Sequence, residues 1–453
     1  MDLAFRNAVA KARQQDGLYF AAFLPENLIL DAFGKARELW QGWVYTPAVT
    51  VWVFLAQCLS ADHSCRDAVA NLIAWRLASG LRPCSAKTGA YCTARDDVPE
   101  ETCSRLMRET GRQVADAAPA DWRWLGHRVL NVDGSTITMA DTPANQAEYP
   151  QLKGQAAGCG FPIARILTVF CLATGVVLDA AIGKYHGKKT GENSLFRTLH
   201  DLLQAGDVTL SDRYFGGWFD IALQRQHGAH AVVRKHQKRP TDFRTGQRLG
   251  FDDHLVRWVK PKRPQWMSKE VYESLPDELV LRELRVRVTQ KGFRSREVLV
   301  ITTLLDAELY TAAKIADLYR RRWQAELNLR SLKSVMQMDQ LRCKTPHRVR
   351  NEFFMHLVAY NLLRGVMAQA AAKKGVEPCQ VSFKGTLQTM HALLPLLATK
   401  IATDDWCDEL LKAVASHAVG NRPDRIEPRL IKRRPKKYNR LKHPRAHYKK
   451  QAA

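Results

Sequence analysis

VLNVDGSTITM, residues 129–139, is the stretch whose reading sets the fold class. Its β-branched and apolar residues, interrupted by an Asp-Gly pair, give the pattern of a strand. Three more segments of the same kind follow: RILTVFCLAT (165–174), VVLDAAIG (176–183) and DVTLSD (207–212), each bounded by Gly, Asp or polar residues. Between the last two, GENSLFRTLHDLLQAG (191–206) predicts a helix with Gly206 as its stop. Strands alternating with helical segments imply an α/β domain.

Working outward, residues 1–120 read as helical, with long apolar runs over Pro47–Ser60 and Arg66–Ala78 separated by the polar turn SADHSC. Residues 231–300 hold Pro-rich and Trp-containing segments and the alternating LVLRELRVRVT, which predicts a separate β-rich insertion. REVLVITTLLD (296–306) resumes the buried-strand character, and a long helix is expected from Ala312 to Met336. The organisation expected is five segments. Residues 1–120 form a helical domain, 121–230 the first part of the α/β core and 231–300 the insertion. Residues 301–370 complete the core, and 371–453 form a helical region with a basic tail.

Composition narrows the partners. The 453 residues carry 69 Lys and Arg against 45 Asp and Glu, a formal net charge of +24. The excess is local: residues 1–120 hold thirteen basic and thirteen acidic residues, residues 231–300 seventeen against nine, and residues 421–453 thirteen against two. Two separate basic segments point to a polyanion running across the molecule. The longest apolar run, Ile166–Leu178, is bounded by Arg165 and Asp179 and is too short to span a bilayer, so no membrane partner is expected. The N-terminal stretch has no continuous apolar core of a signal peptide. Ten cysteines without one C-x-x-C pair argue against a zinc ribbon and for reduced thiols in a cytoplasm.

The chemistry concentrates on the 312–336 helix. Tyr319, Arg322, Glu326 and Lys333 stand at offsets that place them within an arc of roughly 60° at 100° per residue. Spacing alone is equally that of a charged solvent face. Two aspartates add weight: Asp133 in VLNVDGST and Asp212 in DVTLSDRYF, each read at a strand end, where α/β sheets bind ligands and metals. With Glu326 they form a candidate site for two hard cations that clamp both oxygens of an in-line phosphoryl transfer.

The pattern Y-x2-R-x3-E-x6-K at Tyr319, Arg322, Glu326 and Lys333 resembles the signature of DDE transposases of the bacterial insertion-sequence IS-four type. VDGST and SDRYF resemble that family's two aspartate motifs, and DTPANQAEYP, GFPIAR, LATGVVLDAAIG, TTLLDA, HLVAYNLLR and EPRLIKRRPKKY resemble further blocks. The resemblance runs from about Ala48 to Arg445. It implies a ribonuclease-H-like catalytic core interrupted by a β-strand insertion between Asp212 and Glu326. Asp133, Asp212 and Glu326 would be catalytic and hold two Mg²⁺, with Mn²⁺ as a substitute. Arg322 and Lys333 would hold phosphates, and Tyr319 would touch DNA near the scissile bond.

The implied reaction is binding of insertion-sequence ends, hydrolytic strand cleavage and transesterification of the 3′ ends into target DNA, with no nucleotide cofactor. The implied partners are double-stranded DNA at the transposon ends and target, and a second copy in a homodimeric synaptic complex; the setting is a bacterial cytoplasm, at the nucleoid. Two alternatives stand beside it: a catalytically silent DNA-binding regulator descended from a transposase, and a nuclease that cuts without joining.

Family members that excise through a hairpin use an aromatic in the strand before the Glu helix; here Val298 occupies that place, with Trp258, Trp266 and Phe293 as substitutes or as packing. The N-terminal domain would bind DNA ends. Lys87, Tyr91 and Arg95, spaced by four, are a possible DNA face or ordinary surface. His356, Tyr360 and Arg364 share a helical face and read equally as core polar groups. The tail IKRRPKKYNRLKHPR would lie along phosphates.

Overall fold

The computed structural model describes residues 24–287, 297–397, 406–420 and 440–452. Phe293 and most of the basic tail lie outside the described residues.

The α/β expectation is met by a large, mostly antiparallel sheet. Its strands are β1 (Val129–Met139), β2 (Ile163–Cys171), β3 (Val177–Lys184), β4 (Val208–Ser211), β5 (His230–Arg234), β6 (Gln247–Gly250), β7 (Asp253–Val259), β8 (Glu278–Arg287), β9 (Glu297–Thr302) and β10 (Gln340–Leu341). The order is β3-β2-β1-β4-β5-β9-β8-β7-β6, with β10 on β1. β4 and β5 are parallel, Val208 facing His230 and Ser211 facing Val233, and the Trp218–Gln226 helix makes the crossover that a parallel pair requires. β5 pairs antiparallel with β9, which pairs with β8, and β8 with β7.

The 231–300 stretch is therefore built into the sheet: β6, β7 and β8 extend its edge through β9. Two buried ion pairs fix this meander. Arg282 on β8 grips Asp253 on β7, with Nε 2.8 Å from Oδ1, and Lys235 just after β5 reaches Glu283 on β8 at 2.5 Å. Such pairs leave a costly buried charge if one partner is removed, and so they specify register.

Among the described residues, chain contacts form two compact units, each discontinuous in sequence. One comprises residues up to Asn131, Thr168–Ala180 and Trp323–Val419; the other comprises Val132–Leu167, Ala181–Arg322 and the residues from Gly420 onward.

The first unit is helical around the Pro346–Lys374 helix. That helix is buried along most of its length and stops where Gly375 turns left-handed at φ 72°. The described N-terminal residues form helices Glu26–Phe33, Pro47–Leu59, Cys65–Ala78, Gly89–Asp96 and Glu100–Asp116. Thr46 caps the second of these by accepting from the Val49 N–H, with Pro47 at the first helical position, and Ser64 caps the third through the Asp67 N–H. Gly111 of the Glu100–Asp116 helix lies against the Val177 carbonyl so closely that a Cβ would stand 2.1 Å from its oxygen. Asn361 completes this junction: its Oδ1 accepts from the Val177 N–H at 2.7 Å, and its Nδ2 donates to the Val177 and Met107 carbonyls at 2.9 and 3.0 Å.

Two helix expectations change. Residues 191–206 yield only the short helix Glu192–Arg197 and a 3-10 turn at His200–Leu202, because Leu199 leaves the helical region at φ −109°, ψ 7°. The 312–336 segment is not one uniform α-helix, although Arg322 keeps helical angles at φ −52°, ψ −34°. It runs Ala312–Arg321, a turn at Arg322 whose N–H reaches back three residues to the Tyr319 carbonyl, Trp323–Arg330, and a π-turn at Ser331–Val335. Among the described residues no helix is long and apolar enough to cross a membrane.

Candidate active site

Asp133 is not at a strand end. It is the fifth residue of the eleven-residue β1, which continues through Gly134 to Met139. The Asp-Gly pair does not break the strand because Gly134 stays extended and its missing Cβ makes room for Glu192, whose carboxyl carbon would lie 2.4 Å from a Cβ there. Glu192 is held in turn by Arg165 at 3.0 Å. Asp133, half-buried, accepts the Gly134 N–H through Oδ1 at 2.9 Å.

Asp212 stands where expected, directly after β4, the strand next to β1 in the sheet. It caps a 3-10 turn, Oδ1 accepting the Tyr214 N–H at 2.8 Å. Each carboxylate is thus oriented by a backbone donor on one oxygen, as a metal ligand or general base has to be.

Around Asp212 a cluster forms. Tyr319, only 9% exposed, has its phenol pushed above the usual range by burial, with Asp212 acting in the same direction; the hydrogen-bonded Arg322 and the nearby Arg234 oppose this. Arg234 was not found by the sequence reading. It is the last residue of β5, and the parallel register Ser211 to Val233 carries it alongside Asp212. Only the tertiary pairing reveals it, since nothing in VVRK announces proximity to SDRYF. Lys235, next along, points the opposite way into the Glu283 pair, as alternation in extended backbone requires.

Glu326, in the helical unit, lies on Trp323–Arg330 and is half-buried. That helix is tied down by Asn328, whose Oδ1 accepts from Arg364, while Arg364 Nε donates to the Tyr360 hydroxyl at 2.8 Å and Tyr360 donates to the Gly175 carbonyl at 2.8 Å. Lys333 falls on the π-turn, so the phase computed for a continuous α-helix does not apply to it. Burial lowers its pKa, against an opposing pull from Asp339.

The donor set of three carboxylates, without thiol or imidazole, fits hard cations in kind. Among the described residues no group of three or more His, Cys, Asp and Glu lies in a metal-holding arrangement. Asp133 and Asp212 belong to the sheet unit and Glu326 to the helical unit.

The weaker candidates resolve differently. Tyr91 is fully buried and Arg95 is 7% exposed; both donate to Gln57 Oε1, at 2.7 and 2.9 Å, so they are core and neither a DNA face nor open surface. Lys87 precedes the Gly89–Asp96 helix and is exposed. His356, Tyr360 and Arg364 are buried and hydrogen-bonded, the core reading. Trp258 is buried beneath the Arg239 guanidinium, Trp266 stacks on Arg197 with the guanidinium carbon 3.6 Å from the ring, and Val298 is buried in β9. Trp258 and Trp266 are thus occupied in packing.

Residues 124–362, more than half of the chain, match the family model described as Transposase DDE domain, and the chain belongs to that family. It is a DNA transposase, an enzyme of a family that generally uses divalent metal ions. Over 401 residues it is 28% identical to the transposase InsG for insertion sequence element IS4 of Escherichia coli (strain K12), covering 86% of this chain and 85% of the relative. A probable transposase for insertion sequence element IS5377 of Geobacillus stearothermophilus is 33% identical over 88 residues, 19% of this chain and 22% of that one. Among solved structures, the piggyBac transposase in a synaptic complex with hairpin DNA aligns with a TM-score of 0.41 at 10% identity, covering 85% of this chain and 81% of that one.

Proposed function

We propose that this transposase cuts and joins DNA at a site made by Asp133, Asp212 and Glu326, on a ribonuclease-H-like core. The observation that carries the reading is the pair of backbone-oriented carboxylates on neighbouring strands, with Tyr319, Arg322 and Arg234 gathered against the second of them. Asp133, Asp212 and Glu326 would hold two Mg²⁺, or Mn²⁺ in their place. Such ions, when bound, activate the attacking oxygen and stabilise the departing one.

The side chains do the rest. Arg322 forks onto the phosphate at the cleavage point, Arg234 adds a second guanidinium from the sheet, and Lys333 contributes a point charge. Tyr319, un-ionised because it is buried, positions the strand as a donor. In the first reaction a water oxygen bonds to phosphorus as the bond to the 3′ oxygen breaks. In the second the freed 3′ hydroxyl attacks a target phosphodiester, and the number of phosphodiester bonds is conserved, so no nucleotide is consumed.

The N-terminal helices bind the transposon ends, and the basic segments hold flanking and target DNA. The active species is a homodimer on two ends, working in the bacterial cytoplasm at the nucleoid. Asp133→Ala, Asp212→Ala and Glu326→Ala should each abolish Mg²⁺-dependent nicking of an end-bearing duplex while gel-shift affinity stays within about threefold. A variant that nicks at the wild-type rate removes its residue from the site.

A further inference from the structure

In the N-terminal helices, outside the residues matched by the family model, two thiols meet. Cys65 opens the Cys65–Ala78 helix and Cys92 lies in the Gly89–Asp96 helix, 27 residues further on, with their sulfurs 3.8 Å apart. Both are only partly buried. Three donors converge on Cys65 Sγ: the Cys92 thiol, Arg95 Nη1 at 3.5 Å and Gln57 Nε2 at 3.7 Å. Cys65 Sγ thus accepts at once from a guanidinium, an amide and a second thiol. The frame is rigid, because Gln57 Oε1 also accepts from Tyr91 and from Arg95, and the other arm of Arg95 reaches Cys343 at 3.0 Å.

We propose that Cys65 and Cys92 form an oxidation site at which hydrogen peroxide writes a reversible disulfide. The Cys65 thiolate attacks one peroxide oxygen, the O–O bond breaks, and hydroxide leaves, giving a sulfenic acid on Cys65. The Cys92 sulfur then attacks the Cys65 sulfur; the S–O bond breaks and the Cys92 proton leaves with the oxygen as water. The hydroxide of the first step takes up the proton Cys65 had lost. The two thiols give up two electrons and peroxide becomes two waters.

Cys92 is the resolving thiol because its sulfur already lies against that of Cys65. Cys343 is more buried, at 9% exposure, and Cys84 is engaged with the Tyr45 hydroxyl. The product would pin two helices of the proposed end-binding region together.

The test is limited oxidation of the reduced full chain with hydrogen peroxide, followed by alkylation, proteolysis and mass spectrometry. The Cys65–Cys92 peptide pair should be the first cross-link to appear, and dithiothreitol should reverse it. With Cys92→Ser, Cys65 should be labelled by dimedone; with Cys65→Ser, Cys92 should stay alkylatable at the same dose. Cross-links that appear first at Cys84 or Cys343, or a wild-type chain whose Cys65 and Cys92 remain alkylatable while other cysteines oxidise, would overturn the proposal. The wild-type arm needs no variant and so does not depend on how the serine variants fold.

Discussion

Replacing Arg364 with Met should loosen the helix that carries Glu326. Arg364 is 6% exposed and serves two buried acceptors: its Nε reaches the Tyr360 hydroxyl at 2.8 Å, and its Nη2 reaches Asn328 Oδ1 two residues from Glu326. Methionine keeps much of the aliphatic volume but none of the donors. Asn328, 4% exposed, would lose a charge-assisted bond, at ~1–3 kcal/mol for a buried acceptor left without it. Tyr360 keeps its bond to Gly175, so its loss falls near ~1 kcal/mol. Relief from burying the guanidinium offsets part of this, and a net destabilisation of about 1–3 kcal/mol is expected.

If Glu326 acts as proposed, the functional effect should exceed what stability alone gives, because displacing a reacting-site side chain by about 1 Å can cost on the order of a hundredfold in rate. Urea unfolding of the full chain, Mg²⁺-dependent nicking and gel shift would be measured together, with Asn328→Ala and the double variant closing a cycle. Binding should persist while nicking falls at least tenfold, and the two single effects should be strongly non-additive. An unchanged urea midpoint with wild-type nicking would refute the idea that this chain of bonds positions Glu326.

Gly111→Ala, which in an open helix would stabilise by up to about 1 kcal/mol, should here destabilise by about 3 kcal/mol or more, since the new Cβ meets a backbone carbonyl that cannot swing away; a midpoint at or above wild type would show that the two elements can separate freely. Stability should also fall on acidification. His63 and His200 are lowered from 6.5 to about 4, chiefly by burial and next by a neighbouring His. Their folded pKa values lie below the unfolded value, so the stability they contribute is fully present above pH 6.5 and is lost as pH falls towards 4, by at most about 3 kcal/mol each. His63→Asn, which tolerates the left-handed φ of 53°, should flatten that slope; an unaltered slope would place the titration elsewhere. Deleting residues 421–453, with thirteen basic residues against two acidic, should weaken specific and random duplexes alike and reduce the salt dependence of binding. A salt slope that survives the deletion would mean that the tail does not touch DNA.

Strand identity was legible because it is local. VLNVDGSTITM became β1 without adjustment, and DVTLSD ended where Asp212 was placed, since β-branched runs and turn residues act within a few positions. Asp133 was misplaced at a strand end because Asp-Gly is a turn signal in isolation. Its cancellation depends on Glu192, some sixty residues away, filling the space a Cβ would need. The 312–336 helix was read as uniform for a similar reason: periodicity reports which residues can share a face, and it is insensitive to a tightened turn at 322, whose backbone angles stay helical, or to an i to i+5 turn over 331–335.

Polar residues at helical spacing were the least legible of all, and their outcomes show why. Lys87, Tyr91 and Arg95 on one side, and His356, Tyr360 and Arg364 on the other, have the same spacing of four and both combine a Tyr with an Arg four residues on. In both sets the rings and guanidiniums turned inward, where each found a fixed acceptor: Gln57 for Tyr91 and Arg95, and Gly175 and Asn328 for Tyr360 and Arg364. What separates a buried Arg from a DNA-facing one is whether a rigid acceptor waits inside, and that acceptor is supplied by a different part of the chain. Arg234 is the converse case. It lies in a stretch with no motif, yet the parallel pairing of β4 with β5 carries it to Asp212 and to the buried Tyr319 hydroxyl, so its place was fixed by a strand pairing that no local pattern announces.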